Sequence, residues 1–548
     1  MSFLERHKTT LLVLSLLVLY LVSVLVHLGV LEFAGEEPRR TMISVEMLDS
    51  GNFIKPTQYG WNYYNKPPVF NWILSFVIWM TGSVSEFVLR LPSLLFYVLM
   101  GFIHYRISRH FFPKQIALLS AFFLLTCADV YTYGLAYGVE IDIFYSFVVY
   151  VQCISIFWFY QKRQYLPLFL LSYFFCAIGF LTKAFPSLLF QVFTLGALCV
   201  YARSIKPLLR WQHLAGILLF FLVVGGYFLL YSQYSSPLRF LINLLNEAMM
   251  KSAVGEKSSK LVDKAIIYPW LFVKMFLPWS LLLLLLLKKV RYGFRSNPLV
   301  WFSILFIAFN IWVYWLTGQP KIRYVYMFLP FGCSILTQIY YRYTEAYPAG
   351  LPKILKYLGF VFMVPLLVVI AFPFYEKTSI VWVVILAIGF VSLLAVYYKH
   401  EALRIWWFIS GYILLRLVYA ALFVPLQRNG IESYSDHISQ VVKSTGESDV
   451  LYWADAYDFS VAVNAKLFSY QTETIKMPYT LPLEIPYYFY RHTGKIIRFD
   501  TLRNNASYFI SYEGQIKEPV DTIYSFVDRN VGQKVVFYKL KASRFEVE

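Results

Sequence analysis

Thirteen long apolar runs separated by short polar stretches set the plan of this 548-residue chain. A helix crosses a bilayer with roughly 20 apolar residues. Runs of that kind recur near 10 to 30, 84 to 105, 115 to 130, 141 to 160, 165 to 181, 184 to 201 and 213 to 231. A second set lies near 268 to 287, 299 to 316, 324 to 341, 357 to 373, 379 to 397 and 405 to 425. Only Thr182 and Lys183 interrupt the stretch from 165 to 201, which reads as a hairpin of two spans because that keeps the charge pattern consistent. The first run lacks a small-residue cleavage site and is expected to remain as an anchor. The pattern predicts a polytopic α-helical membrane domain over 1–428, with a long first outer loop at 32–83.

After about Asn429 the spacing changes. No run is long enough to span, and short β-rich stretches alternate with helical ones, which predicts a small soluble α/β domain over 429–548. DVLYWA (449–454), ASYFISY (506–512) and KVVFYKL (534–540) read as strands, and DFSVAVNAK after the first of them reads as a helix.

Composition agrees with the pattern: 59% hydrophobic and 20% aromatic residues, with mean hydropathy +0.57, exceed what one soluble core hides. Charge adds the orientation. Short cytoplasmic loops collect Lys and Arg, and with alternating sides nineteen basic residues fall on the face of Arg6 and Lys8 against four on the other. The N-terminus is therefore expected inside and the C-terminal domain outside, in a bacterial inner membrane. The formal charge of +18 is spread over membrane-flanking loops instead of forming one face. That excludes a nucleic-acid surface and favours contact with anionic lipids. All five cysteines lie in apolar runs, so no disulfide framework is expected. A divalent metal is compatible with the chemistry below, yet no ligand spacing indicates one and no cofactor is implied. Arg416, near the middle of the last span, is a rare placement for an arginine.

The chemistry concentrates in the first outer loop. EFAGEEPRRTMISVEMLDSG predicts a helix started at Pro38 and stopped at Gly51. Met42, Val45, Met47 and Leu48 give it one apolar face, which is expected to lie on the membrane surface. Glu36 and Glu37 precede it, and Glu140 and Asp142 arrive at the interface on the next outer loop. An acid at that depth is costly unless paired. The expected site has Glu36, Glu37 and Asp142 facing one another across an outer cavity, with Arg39, Arg40, Lys66, Lys183, Lys321 and Arg323 supplying positive charge. Such cations clamp phosphate oxygens, and a nearby carboxylate can take a proton from an attacking hydroxyl.

At these residues the chain resembles a known group. GEEPRR, EMLDSGNFIKPTQYG, YYNKPPVFNW and EFVLRLPS (86–93) follow one another, then VEID (139–142), FLTKAFPSLL (180–189), FLPWSLL (276–282) and KIRYVYMFLPF (321–331). In that order they are similar to the protein mannosyltransferases and aminoarabinose (ArnT-like) transferases, lipid-linked sugar transferases of the GT-C fold. The resemblance implies an inverting transfer of a sugar from a polyprenyl-phosphate carrier to an envelope lipid such as lipid A, a glycan or a protein, on the periplasmic face. It implies catalytic roles for Glu36, Glu37 and Asp142. Lys66 matches the lysine that meets the donor phosphate, and Lys321, Arg323 and Tyr324 match a basic outer-loop pattern near a donor or acceptor phosphate. Glu36 stands where aspartate is commoner, and Asn65 where aminoarabinose transferases tend to carry an acid. A multi-span lipid or solute transporter is the alternative, since it too would place charges within spans.

Overall fold

The structure, a computed structural model, describes residues 3–135, 138–250, 258–315, 321–376, 379–445, 450–452, 456–466, 469–478, 482–499, 508–514 and 520–540. It is a helical membrane protein with a C-terminal sheet domain. Eight helices among the described residues are long and apolar enough to cross a membrane, and a ninth span arises if Ile267–Met275 and Trp279–Leu287, which meet at 110°, form one broken crossing. Thirteen is not the count that length and apolarity give. Leu11–Leu25, Lys114–Leu125 and Pro186–Ala202 are shorter apolar helices, and the run at 324–341 starts as a tight 3-10 stretch, Ile322–Phe328, before the helix Leu329–Ala346.

The elements around the first loop come in order. Helix α1 (Phe3–Leu25) leads into α2 (Glu37–Ser50), followed by a two-strand ribbon, β1 (Thr57–Gln58) with β2 (Trp61–Asn62), and α3 (Val69–Thr81). Helix α4 (Glu86–Ser108) and α5 (Lys114–Leu125) follow, then α6 (Ile141–Gln161), α7 (Tyr165–Lys183), α8 (Pro186–Ala202), α9 (Trp211–Tyr231) and α10 (Pro237–Met250). The predicted boundaries of α2 hold. Pro38 sits in its first turn, where its missing N–H costs nothing, and Gly51 closes it at φ 67, a left-handed value that favours glycine.

The expected placement of α2 on the membrane surface does not hold. Glu37, Pro38 and every residue from Arg40 to Met47 are buried. One side is closed by α3, itself an apolar helix inside what reads as a loop: Asn71 Nδ2 donates to Arg40 O at 2.8 Å, and Ser75 Oγ to Ser44 O at 3.0 Å. Another side is closed by the helix Glu484–Thr493 of the C-terminal domain. Phe33, Met42, Val45, Val69 and Phe70 share one apolar cluster with Ile485, Tyr487, Tyr488, Ile510 and Val535.

The C-terminal domain holds β3 (Val450–Tyr452), β4 (Ala456–Lys466), β5 (Ser469–Pro478), β6 (Arg498–Phe499), β7 (Tyr508–Tyr512), β8 (Val520–Val527) and β9 (Lys534–Leu540). Five of them form a sheet in the order β6-β3-β7-β9-β8, parallel around β3 and antiparallel around β9. DFSVAVNAK is not a helix: it lies in β4, paired antiparallel with β5. Phe459, Val461 and Val463 stand at every second position, the period of a strand. Residues 449, 453–454 and 506–507 of the expected strands lie outside the described residues.

The domain is tied to both ends of the first outer loop. At the near end, Glu32 accepts from Ser433 Oγ at 2.6 Å, Ser435 N at 3.0 Å and Tyr434 N at 3.2 Å. At the far end, Glu86 pairs with Arg491 and accepts from the Tyr488 hydroxyl at 2.8 Å.

Candidate active site

Glu36 and Glu37 are adjacent and point into different surroundings. Glu37 is sealed: its carboxylate meets Arg90 of α4 in a two-point pair, Nε to Oε1 at 3.0 Å and Nη2 to Oε2 at 2.9 Å, with both side chains fully buried. The remaining capacity goes to the backbone N–H groups of Ala34 and Val139, each at 3.2 Å. Arg90 in turn donates to Leu28 O at 2.7 Å and Leu31 O at 3.0 Å, with the Phe33 ring 5.3 Å from its guanidinium carbon. The expectation that Glu37 faces a cavity is corrected: its oxygens are spent on holding the α1–α2 connection to α4 and to the 139 backbone. Arg90 carried no expected role. Its signal in the sequence was an arginine between the apolar residues Phe87–Leu89 and Leu91–Pro92, where burial demands a paired acid.

Glu36 stays accessible. Its side chain is 38% exposed, with Arg39 Nη1 at 2.6 Å and Arg40 Nη2 at 3.3 Å. Burial pushes its carboxyl up, but Arg40, Arg39 and Lys66 together hold it below the ordinary carboxylate range. Arg40 is buried; its Nη2 also meets the Tyr63 hydroxyl at 3.0 Å, while Nε and Nη1 have no hydrogen-bond partner among the described residues. Lys66 sits at the far end of the same loop and pairs with Glu247 of α10 at 2.7 Å.

The second cluster lies at the top of α6. Arg323 pairs with Glu140 and, through Nε at 3.2 Å, with Asp142. Lys183, at the end of α7, reaches the other oxygen of Asp142 at 2.5 Å, with its ammonium 4.1 Å from the centre of the Tyr324 ring. Glu140, Asp142 and Arg323 line a narrow pocket with Tyr133, Gly134, Ile143 and Tyr326, with room for about one water molecule. Burial first, and then the neighbouring Asp142, push the Glu140 carboxyl up to about 7 despite Arg323. Lys321 is exposed and caps the turn that carries Arg323 and Tyr324.

The two clusters meet at Gly35. Its φ of 62° turns the chain before Glu36, and a Cβ placed there would stand 3.6 Å from Glu140 Oε1. The fold therefore brings Asp142, Lys183, Arg323 and Tyr324 together, and Glu36, Arg39, Arg40 and Lys66 together, with Glu140 bordering both. Sequence reasoning placed Glu140 at the interface without a task, and it missed Glu247. Arg416 is buried, and its Nε donates to Tyr131 O at 3.0 Å, in the π-helical stretch Val130–Gly134 that leads into the pocket wall.

Frame and site together define a class: a polytopic helical membrane protein with a sheet domain seated on a charged first loop. In fold the chain is ArnT-like. It matches ArnT from Cupriavidus metallidurans, solved bound to undecaprenyl phosphate, over 99% of each chain with a TM-score of 0.69 at 16% identity. Against the apo form of that protein the TM-score is 0.66 at 15% identity, over 97% of this chain and 98% of the other. Residues 65–227 match the family described as dolichyl-phosphate-mannose-protein mannosyltransferase. In sequence the chain is 31% identical over 185 residues, 33% of each chain, to an undecaprenyl phosphate-alpha-4-amino-4-deoxy-L-arabinose arabinosyl transferase of Erwinia tasmaniensis. It is 29% identical over 270 residues to an uncharacterized protein of Aquifex aeolicus, 48% of this chain and 52% of that one. The matched stretches thus span between a third and about half of these curated relatives.

Proposed function

We propose that this protein is a glycosyltransferase that moves a sugar from a polyprenyl-phosphate carrier to an envelope acceptor at the outer face of a bacterial inner membrane. The observation that carries the reading is the meeting at Gly35: an accessible carboxylate flanked by Arg39, Arg40 and Lys66 on one side, a small pocket lined by Glu140, Asp142 and Arg323 on the other. The ArnT-like fold supports it, as do the named transferases among its relatives. The basic residues of the N-terminal face support a cytoplasmic N-terminus and a periplasmic sheet domain.

In this reading Lys66, Arg39 and Arg40 receive the donor phosphate, whose charge they match. The bond from the sugar's anomeric carbon to the phosphate oxygen breaks, and its electron pair leaves with the polyprenyl phosphate. The acceptor oxygen bonds to the opposite face of that carbon. Glu36, ionised at neutral pH, stabilises the positive charge that develops on the sugar. A group held so far toward its charged form is a weak proton acceptor. Glu140, which gives up its proton near neutral pH, is better matched to take one from a hydroxyl acceptor. A lipid phosphate acceptor arrives already anionic and makes no such demand. Arg323 and Lys183 hold Glu140 and Asp142 in place at the pocket, beside Tyr324, and Lys321 extends the positive rim. Glu37 with Arg90 fixes the backbone on which Glu36 rides.

The test is direct. Purified protein in lipid nanodiscs is given an undecaprenyl-phosphate sugar with lipid A, and transfer is followed by mass spectrometry. Envelope lipids, glycans and proteins from cells with and without the gene are compared in parallel. No sugar mass gained by any acceptor class, in cells that make the protein, would sink the reading.

A further inference from the structure

The pairing of Lys66 with Glu247 places a carboxylate where the proposed donor site calls for a phosphate. Lys66 belongs to the first outer loop and Glu247 to α10, 181 residues later. Their contact, at 2.7 Å with side chains 15% and 19% exposed, is partly shielded from water, so it is stronger than a surface pair. The negative charge of Glu247 also reaches Arg40 and Tyr63, so it lies inside the field of the cations assigned to the donor. Arg40 meanwhile keeps two buried donors, Nε and Nη1, without a partner among the described residues. A buried donor left unmatched costs free energy that an incoming phosphate oxygen recovers. A carboxylate offers two oxygens and one charge, whereas a phosphate monoanion or dianion offers more of both. Glu247 thus satisfies Lys66 and leaves Arg40 underused.

The helix carrying Glu247 is held to the same loop nearby. The Phe240 ring stands 5.8 Å from that of Tyr64 and 5.1 Å from that of Tyr231, and Asn62 Nδ2 donates to Ser235 Oγ at 3.4 Å just before α10. These contacts fasten the N-terminal half of α10, and the Glu247 ion pair fastens the C-terminal half.

We infer that Glu247 is an internal stand-in for the donor phosphate, which must displace it from Lys66 before the donor is seated. The inference rests on the transferase reading above. It makes Glu247 a residue that sets donor affinity: the observed affinity is the intrinsic one reduced by the fraction of molecules in which Lys66 is free. A ligand without a strong anion cannot open the pair, so the device also discriminates against neutral polyprenols.

The test uses the full chain in nanodiscs and undecaprenyl phosphate as the probe, with binding read by native mass spectrometry. Glu247→Gln keeps the shape and removes the charge, and it is expected to tighten binding about five- to tenfold. Lys66→Met is expected to weaken binding, and adding Glu247→Gln to Lys66→Met is expected to recover only the small part of the effect that Glu247 exerts on Arg40, because Glu247 acts chiefly through Lys66. Unchanged or weaker binding by a Glu247→Gln protein that still transfers sugar would overturn the inference and leave the transferase reading standing. Undecaprenyl phosphate binding to none of the chains, wild type included, would overturn both. A Glu247→Gln effect that persists at full size in the double variant would also overturn it, since Glu247 would then act chiefly elsewhere than on Lys66.

Discussion

The Glu37–Arg90 pair and the cluster at the top of α6 carry similar residues and are treated in opposite ways. Glu37 and Arg90 are fully buried and exhaust each other's hydrogen-bonding capacity together with nearby backbone. Glu140, Asp142, Arg323 and Lys183 are also paired, but Glu140, Asp142 and Arg323 line a small pocket. A sealed pair is expensive to break and does no chemistry, because neither partner can turn to a substrate. A network at a pocket wall holds its groups in place while leaving part of them in contact with the space beside it. The difference teaches that the motif GEEPRR supplies one carboxylate for architecture and one for the proposed reaction, although the sequence offers them side by side.

The largest effect expected is on the sealed side. Glu37→Gln leaves the Arg90 charge buried without its partner, which costs about 3–5 kcal/mol. Thermal unfolding in detergent should show a steep loss that Glu37→Gln with Arg90→Met partly recovers. A mild effect would mean the pair is less sealed than the geometry says. Next in size, Glu36→Gln should lower sugar transfer about 100- to 1,000-fold, with a smaller drop in melting temperature than Glu37→Gln because Glu36 is 38% exposed. If stability fell as much as activity did, the contrast between the two glutamates would collapse. Lys66→Met should raise the KM for the donor about tenfold, with a smaller change in kcat. A loss confined to kcat would move Lys66 from binding to the reaction step.

The smallest effect is a slope with pH. The Glu140 carboxyl is raised from an ordinary 4.5 to about 7 in the folded chain, so between these values the folded state holds more protons than the unfolded one. Its contribution to stability therefore declines as pH rises from about 4.5 to about 7 and is level above that. Glu140→Gln should flatten this decline in a melting series from pH 4 to 8. An identical slope in the variant would place the titrating group elsewhere.

Much of the frame was legible because it depends on local pattern. Eight of the thirteen expected runs coincide with helices long and apolar enough to span, and α2 begins near Pro38 and ends at Gly51 because those residues act within one turn. The strands at Tyr508–Tyr512 and Lys534–Leu540 follow from β-rich composition. Misreadings arose where the deciding partner is distant in sequence. Arg323 and Glu140 are 183 residues apart, Lys66 and Glu247 nearly as far, and Arg90 and Glu37 lie in different helices. No periodicity within a segment reports such a pair. The surface placement of α2 failed for the same reason: its apolar face was visible, but the helix Glu484–Thr493 that covers it comes more than 400 residues later. DFSVAVNAK was misread although its alternation was local, because Ala and Lys favour helix while the pairing with β5 decides for strand.

The ties from Glu32 to Ser433 and from Glu86 to Arg491 span 401 and 405 residues. During synthesis the first loop is made about 400 residues before the groups that fasten both its ends. The seat of Glu36 is thus finished only after those groups have been translated. A chain that stops short of the sheet domain inserts its spans and still lacks the fastening.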